Sequence, residues 1–476
     1  MENAAPALDR AGQALYRQLY EYFIREIRTG RLAAGEKLPS RRRLAADAGV
    51  SVNTVDTAYG MLAAEGYVEA RPRSGYVVCR LEARPAAPAR RAPPPAPPRA
   101  AAPRWRFNFA TSTIDTGLFP FKTWRRIQRD VLAQDPSLLN PGPRMGDENL
   151  RAAIAVHLHE YRGAVCTPEQ VVIGAGIEYL AGLLAQMFRA ETFAVEDPGY
   201  SRTARILANA GAQAAFVPVD SQGMDADALA ASGARLAYVT PSHQFPTGVT
   251  MPAARRYELL RWAAAAPERW IIEDDYDSEF RFDSRPLPCL QGLDEAGRVI
   301  YIGTFSKSVA PAIRVAYMVL PAGLLGRWQA MYGSYSCPVS RMEQQTLCRF
   351  MESGAFARHL ARLRIAYRRR RDALVQALHR RLGGAVRVYG AHTGLHLLAA
   401  LPGAPGEKAL VEAAAARGVH CTALGDYRQG LVPADAPDAA VPAAVLGYAG
   451  LSEGQIGPAV DALADAWGAW LPGAGG

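Results

Sequence analysis

The run YIGTFSKSVAPAIR, residues 301–314, holds a single lysine, Lys307, among apolar and hydroxyl side chains. Desolvating an ammonium is expensive, so a lysine in such a setting either reaches water along its own stem or is kept for its chemistry as an amine. Thr304 and Ser306 precede it, and Arg314 follows seven residues on. Two hydroxyls and one fixed guanidinium make a cup for a phosphate.

Thirty-three residues upstream, IIEDDYDSEF sets Asp274 and Asp275 at the end of an apolar run, with Tyr276 beside them. A carboxylate held there could keep a pyridine nitrogen protonated, which makes pyridoxal phosphate an electron sink. VVIGAGIEYL reads as strand, Gly174-Ala175-Gly176, then helix, and a helix N-terminus can receive a phosphate. EDPGYSR places Tyr200 just past another strand end, where its ring could stack on a flat cofactor. Singly, each has an ordinary explanation: a tight turn, a metal or surface acid pair, a core aromatic, a snorkelling lysine. Their order and spacing along one chain argue for one site.

These residues need a scaffold that brings strand ends together. Beyond residue 104, apolar strands alternate with helical stretches: VVIGAG, TFAVEDPG, AQAAFVPVD, RLAYVTPS, RWIIEDDYD and RVIYIGTFSK. Continuous Val/Ile runs suit parallel strands buried on both faces, and ligands bind such sheets at the strands' carboxyl ends. Residues 105–476 therefore read as a large α/β domain. A smaller α+β subdomain follows from about Arg341, opening with the basic helical segment HLARLRIAYRRRRDALVQALHRRL.

The first 80 residues have a different plan. Leu15, Leu19, Phe23 and Ile27 recur every four residues, predicting a helix that ends near Gly30. Ser40 caps a short second helix and Ser51 a third, whose inner face is Val55, Tyr59 and Leu62. YVEARPRSGYVV predicts a hairpin turning at Pro72-Arg73-Ser74-Gly75. Three helices and a hairpin make a winged helix-turn-helix. Its third helix would offer Ser51, Asn53, Thr54 and Asp56 to a groove; Arg41, Arg42 and Arg43 would grip phosphates, and Arg71 and Arg73 reach from the wing.

Residues 81–104 separate the two parts. Eight of these 24 residues are proline, so they read as an extended polyproline spacer. Lys+Arg outnumber Asp+Glu by 12 to 9 in residues 1–80 and by 5 to 1 in 81–104, which places +7 of the +9 net charge at the front. That points to an anionic partner for the front alone. Six cysteines are scattered without metal-ligand spacing, implying reduced thiols and no metal. With neither a signal-like N-terminus nor an eighteen-residue apolar run, the expectation is a soluble cytoplasmic protein with no membrane contact.

The stretch GRLAAGEKLPSRRRLAADAGVSVNTVDTAYGMLAAEGYVEARPRSGYVV closely resembles the GntR-type DNA-binding domain. Its landmarks are G-x-L-x-x-G-x-x-L-P-S, R-x-L-A, G-V-S-x-x-T-V and A-Y-x-x-L-x-x-E-G-Y. The resemblance implies that Arg42, Ser51, Asn53, Thr54 and the wing residue Gly75 sit where members touch double-stranded DNA. Val52 departs from members that carry arginine or another polar residue there.

Residues 105–476 resemble fold-type I pyridoxal-phosphate enzymes of the aspartate aminotransferase fold. With the GntR-type front and the linker, the whole chain resembles the MocR family of regulators, with its GabR-like and PdxR-like members. Carrying segments include LFPFKTWRR, GDENLRAAIAVHL, EDPGYSR, TPSHQFPTG, EDDYDSEFRF and LGYAGLSE. The resemblance implies a pyridoxal 5'-phosphate cofactor whose internal aldimine forms on Lys307. Asp274 would pair with the pyridine nitrogen, Tyr276 would lie near the phenolic oxygen, and Tyr200 would stack on the ring. Thr304, Ser306, Arg314 and the amides of Gly176 and Ile177 would hold the phosphate. Arg202 matches a position that contacts an effector carboxylate in GabR-like members.

Phe245 stands before P-T-G where ordinary aminotransferases carry asparagine, wording shared with MocR-type chains. No carboxylate-binding arginine occurs around VPAAVLGYAGLSE, and Arg428 in GDYRQG is the nearest candidate. The implied protein is a regulator, not an enzyme, although residual half-transamination fits its equipment. It would sense the cofactor itself or a reactive amine or amino acid, with vitamin B6 synthesis as the regulon PdxR-like members suggest. A head-to-tail, domain-swapped homodimer on a two-fold operator is expected. The alternative is an active aminotransferase with an appended DNA-binding domain.

Overall fold

In the computed structural model, residues 8–9, 13–81, 105–282, 287–430 and 441–471 are described. The spacer expected over 81–104 lies outside them except for Leu81. Contacts divide the chain into two compact units at Ala101–Ala102.

The first unit holds α1 (Leu15–Arg28), α2 (Arg41–Ala48), α3 (Val52–Ala64), β1 (Val68–Arg71) and β2 (Gly75–Val78). Leu19, Phe23 and Ile27 project every fourth residue from α1 into the core, where they meet Val55, Ala58, Tyr59 and Leu62 of α3. Ser40 Oγ accepts the Arg43 N–H at 3.3 Å to cap α2. Gly49 ends that helix in a left-handed conformation (φ +63°), as the Ala48-Gly49-Val50 turn requires. Ser51 Oγ accepts the Thr54 N–H at 3.1 Å and starts α3. The hairpin pairs Val68 with Val78 and Arg71 with Gly75. These are the expected three helices and wing.

The second unit begins with β3 (Phe107–Asn108). A mixed eight-stranded sheet follows: β4 (Val171–Gly174), β5 (Thr192–Asp197), β6 (Gln213–Asp220), β7 (Gly223–Met224), β8 (Leu236–Val239), β9 (Trp270–Asp275), β10 (Val299–Thr304) and β11 (Ala316–Val319). Its order is β4-β11-β10-β9-β8-β5-β6-β7. Strands β6, β5, β8, β9 and β10 run parallel, while β11 is antiparallel to both β10 and β4. Side chains alternate between two helical layers: Val171 and Ile173 join one core, Val172 the other. All residues of β4, β8, β10 and β11 are buried, which explains their unbroken apolar sequences.

A second sheet contains β12 (Arg387–Tyr389), β13 (His396–Ala400), β15 (Thr422–Ala423) and β16 (Ala443–Gly447); β14 (Val419–His420) pairs with β3. The core beneath it draws on Phe107 and Phe109 as well as on residues from Leu363 to Trp467. Leu347, Cys348 and Phe350 instead pack into the large-domain core. The long helix Ala355–Leu382 passes from one core to the other.

Candidate functional site

Register across the large sheet assembles the site. Thr304 pairs with Ala316, and Ala316 with Gly174, so the ends of β10 and β4 lie in one row, two strand spacings or about 10 Å apart. Arg314 lies two residues before Ala316. One strand further over, Gly303 pairs with Asp275. The segments singled out in the sequence thus converge on one edge.

The buried strand β10 fixes Thr304, and the fully packed Phe305 anchors the turn after it. Thr304 Oγ1 and Ser306 Oγ are 2.8 Å apart, and the Ser306 N–H donates to Thr304 Oγ1 at 3.1 Å. Arg314 Nη2 donates to the Ala175 carbonyl at 2.8 Å. Its guanidinium lies over Gly176, the N-cap of the helix Ile177–Met187; a Cβ on Gly176 would stand 2.3 Å from Arg314 Nη2. A cation, a helix N-terminus and a backbone kept bare by glycine form an anion cradle. Lys307 Nζ donates to the Thr111 carbonyl at 2.5 Å. Burial lowers its pKa to about 8, with Asp277 opposing.

Asp274 and Tyr276 flank the centre. Asp274 Oδ2 accepts the Tyr238 hydroxyl at 2.6 Å, while Oδ1 is buried with no partner. Burial pushes this carboxyl up to about 7 against the Tyr238 hydrogen bond, with Asp275 and Glu196 adding to the rise. Such a group calls for one more hydrogen-bond donor, and a protonated ring nitrogen supplies one. The carboxylate, the amine and the anion cradle together fit pyridoxal phosphate. The Tyr276 hydroxyl lies 3.0 Å from both the carbonyl and Nδ1 of His243.

Tyr200 is the N-cap residue of the helix Ser201–Asn209, and its ring meets Phe245 edge to face at 5.8 Å. Phe245 also packs against Tyr276, Tyr427 and His396. Arg202 is held by Glu178 at 2.7 Å, and its guanidinium lies 5.9 Å from the Tyr200 ring. The Tyr427 carbonyl accepts the Gly199 N–H, and Asp197 accepts the Gln429 and Gly430 N–H groups. Arg428 therefore sits on a segment tied to the loop that ends at Tyr200 and leads into the helix carrying Arg202.

Tyr238, His243, Asp277, Glu196 and Thr111 were not singled out from the sequence. Tyr238 had a signal: it is the one aromatic hydroxyl in the apolar run RLAYV. His243 and Asp277 lie within TPSHQFPTG and EDDYDSEF, where neighbouring residues drew attention first.

In the first unit, Arg42 and Asn53 are exposed. Arg41 is paired with Asp56 across α2 and α3, and Arg43 with Asp47 at 3.6 Å. Ser51 and Thr54 share a 2.8 Å contact between their hydroxyls, so capping occupies part of their capacity. Val52 is 44% exposed at the start of α3, an apolar contact suited to a thymine methyl. Arg73 holds a left-handed φ of +61° at the wing tip, beside Gly75 at +83°.

Residues 15–78 match the bacterial regulatory proteins of the gntR family, and residues 107–430 match aminotransferase class I and II. Fold and site therefore define a gntR-type domain joined to an aminotransferase-type domain. Over 455 residues the chain is 39% identical to the uncharacterized HTH-type transcriptional regulator YdeL of Bacillus subtilis, covering 95% of this chain and 96% of the relative. It is 35% identical over 478 residues to the probable rhizopine catabolism regulatory protein MocR of Rhizobium meliloti (97% and 95% covered). It is 34% identical over 420 residues to the HTH-type pyridoxine biosynthesis transcriptional regulator PdxR of Corynebacterium glutamicum (86% and 88%). Among solved structures, the α-aminoadipate aminotransferase LysN of Thermus thermophilus, complexed with N-(5'-phosphopyridoxyl)-L-leucine, matches with a TM-score of 0.67. Its identity is 27%, over 76% of this chain and 92% of that one. The chain belongs to the MocR family of HTH-type transcriptional regulators. No described helix is long and apolar enough to cross a membrane.

Proposed function

We propose that this chain is a pyridoxal-phosphate-dependent regulator whose winged helix binds operator DNA and whose aminotransferase-type domain is the sensor. The carrying observation is the Asp274 carboxylate, one oxygen buried without a partner at the strand end beside the Lys307 loop. When bound, pyridoxal phosphate supplies an electrophilic carbonyl and an electron-accepting ring. Lys307 offers the amine, and a pKa near 8 leaves a useful fraction uncharged at neutral pH. Asp274 keeps a proton on the ring nitrogen, while Tyr200 covers the ring. Arg314, Thr304, Ser306 and the amides of Gly176 and Ile177 bind the phosphate.

The proposed organisation is a DNA-binding domain over 1–80, a spacer over 81–104 and a sensor over 105–476, paired as a head-to-tail, domain-swapped homodimer in the cytoplasm. Arg42, Ser51, Asn53, Thr54, Arg73 and Gly75 are the proposed DNA contacts, with Arg41 acting through Asp56. An amino-acid effector would have to displace Glu178 from Arg202, so the cofactor itself is the simpler signal. Kinship with PdxR makes a vitamin B6 regulon the first to test.

The test combines spectroscopy with DNA binding. Purified protein given pyridoxal phosphate should gain a visible band, borohydride should fix the label on Lys307, and Lys307→Ala should abolish both. Operator affinity should change with cofactor in the parent protein and not in the variant. An unlabelled parent protein would sink the reading. The lowered Lys307 pKa also favours a second reading, an amino-transferring enzyme. Sustained turnover of an amino acid with a keto acid would establish it.

A further inference from the structure

Beside the proposed cofactor site lies a triad that the reading above does not use: Asp277 and His243, both buried, and the half-buried Tyr276. His243 Nδ1 is 3.0 and 3.2 Å from the two Asp277 oxygens and 3.0 Å from the Tyr276 hydroxyl. A carboxylate only accepts, so Nδ1 carries the imidazole hydrogen. The ring cannot easily turn away. Gly394 (φ +72°) passes so close that a Cβ there would stand 1.9 Å from His243 Nδ1, and the His396 ring lies 4.5 Å away. His243 Nε2 is buried without a partner, so the ring's working contact is on its Nδ1 edge. With His396 in place of Tyr276, the side chains of His243, Asp277 and His396 bring ligand-type atoms within 4.8 Å of one another. Two of those atoms already bond Asp277 and the Pro246 carbonyl, which favours a hydrogen-bonded cluster over a metal centre.

We propose that His243 is a positioning residue for Tyr276: its Nδ1–H, anchored on Asp277, holds the phenol in place and sets the pH at which the Lys307-bound cofactor gains its proton. This rests on the cofactor reading above. A donor hydrogen bond into the Tyr276 oxygen makes that phenol a stronger donor in turn, because linked hydrogen bonds polarise one another. Burial, with Asp277, Asp274, Glu196 and Asp275 around it, keeps the Tyr276 phenol protonated; its hydrogen here donates to the His243 carbonyl at 3.0 Å and would have to turn from that carbonyl to the cofactor. A stronger donor at the cofactor's phenolic oxygen favours the anion there, which lowers the proton affinity of the adjoining nitrogen. Lys307 and His396 are the basic groups that interact with this cluster.

The experiment is a pH titration of the visible band in full-length holoprotein. Asparagine places an N–H near the position of Nδ1, whereas glutamine reaches the position of Nε2. His243→Asn should leave the midpoint within about 0.3 unit of the parent, and His243→Leu should raise it by about one unit. In a Tyr276→Phe background the His243 effect should vanish, because its route has been removed. Equal shifts in the Asn and Leu variants, or an undiminished effect in the Tyr276→Phe background, would overturn the proposal. Should His243→Leu not fold, His243→Gln takes its place and must shift as leucine was expected to. If the parent chain shows no band and no Lys307 label, the cofactor reading fails instead.

Discussion

Asp274 and Asp275 are neighbours on β9 whose carboxylates serve opposite faces of the sheet. Asp274 turns toward Tyr238 and the candidate site. Asp275 Oδ2 takes the Arg162 guanidinium at 2.8 Å and the Tyr301 hydroxyl at 2.5 Å. Arg162 also reaches Ser242 Oγ at 2.6 Å and the Leu287 carbonyl at 2.5 Å. Neutralising Asp275 strands a buried guanidinium. Asp275→Asn should therefore cost roughly 3–5 kcal/mol in denaturant unfolding of the cofactor-free protein.

Asp274→Asn should behave in the opposite way. The folded-state pKa of Asp274, about 7, lies above its ordinary value, so the native chain holds a proton that the unfolded chain releases. Stability from this group is fully present below about pH 4 and is lost as pH rises to about 7. The cofactor-free Asp274→Asn variant should thus match the parent near pH 4 and exceed it at pH 8, by at most about 4 kcal/mol. Its affinity for pyridoxal phosphate should fall. Thermal melts at the two pH values check the first claim, and spectral titration checks the second.

Gly176 tests the anion cradle. Its φ of +101° is strained for any L side chain, and a Cβ would press on the Arg314 guanidinium. Gly176→Ala should weaken pyridoxal phosphate binding by roughly tenfold, about 1.4 kcal/mol. Binding of the phosphate-free aldehyde pyridoxal should change less. Equal losses for the two ligands would show that the cradle does not receive phosphate.

Much of this was legible because each local signal had one cheap structural answer. Ser40 and Ser51 cap, Gly49 terminates, and unbroken apolar runs must be central strands. Lys307, Gly176 and Asp274 come together because parallel strands align their carboxyl ends, and Arg314 joins them because β11 runs antiparallel and brings its amino end there. The partners that complete the site were hidden by distance along the chain. Tyr238 reaches Asp274 across a strand pair, and Thr111 reaches Lys307 from 196 residues away. Apolar periodicity cannot tell which core a residue enters. Phe107 and Phe109 join the C-terminal core, while Leu347 and Phe350 return to the large one. The sequence also left Arg41 as a free phosphate grip, because nothing local shows that Asp56, one helix on, engages it.

The wing tip supplies the last prediction. Ser74 N–H donates to the Arg71 carbonyl at 3.0 Å, closing a turn over Pro72 and Arg73. Proline suits the first central position, but φ of +61° at the second is a place for glycine. An arginine there costs about 1 kcal/mol in backbone strain. That strain is retained for no visible internal contact, since Arg73 is exposed and no described residue bonds its guanidinium. A phosphate or minor-groove contact would account for it. Arg73→Gly should raise the first unit's stability by up to about 1 kcal/mol while weakening operator binding. It should also reduce the salt dependence of that binding by about one counterion. Fluorescence anisotropy over a salt series, paired with thermal unfolding, reads both. A more stable variant with unchanged DNA affinity would show that the wing arginine plays no part in recognition.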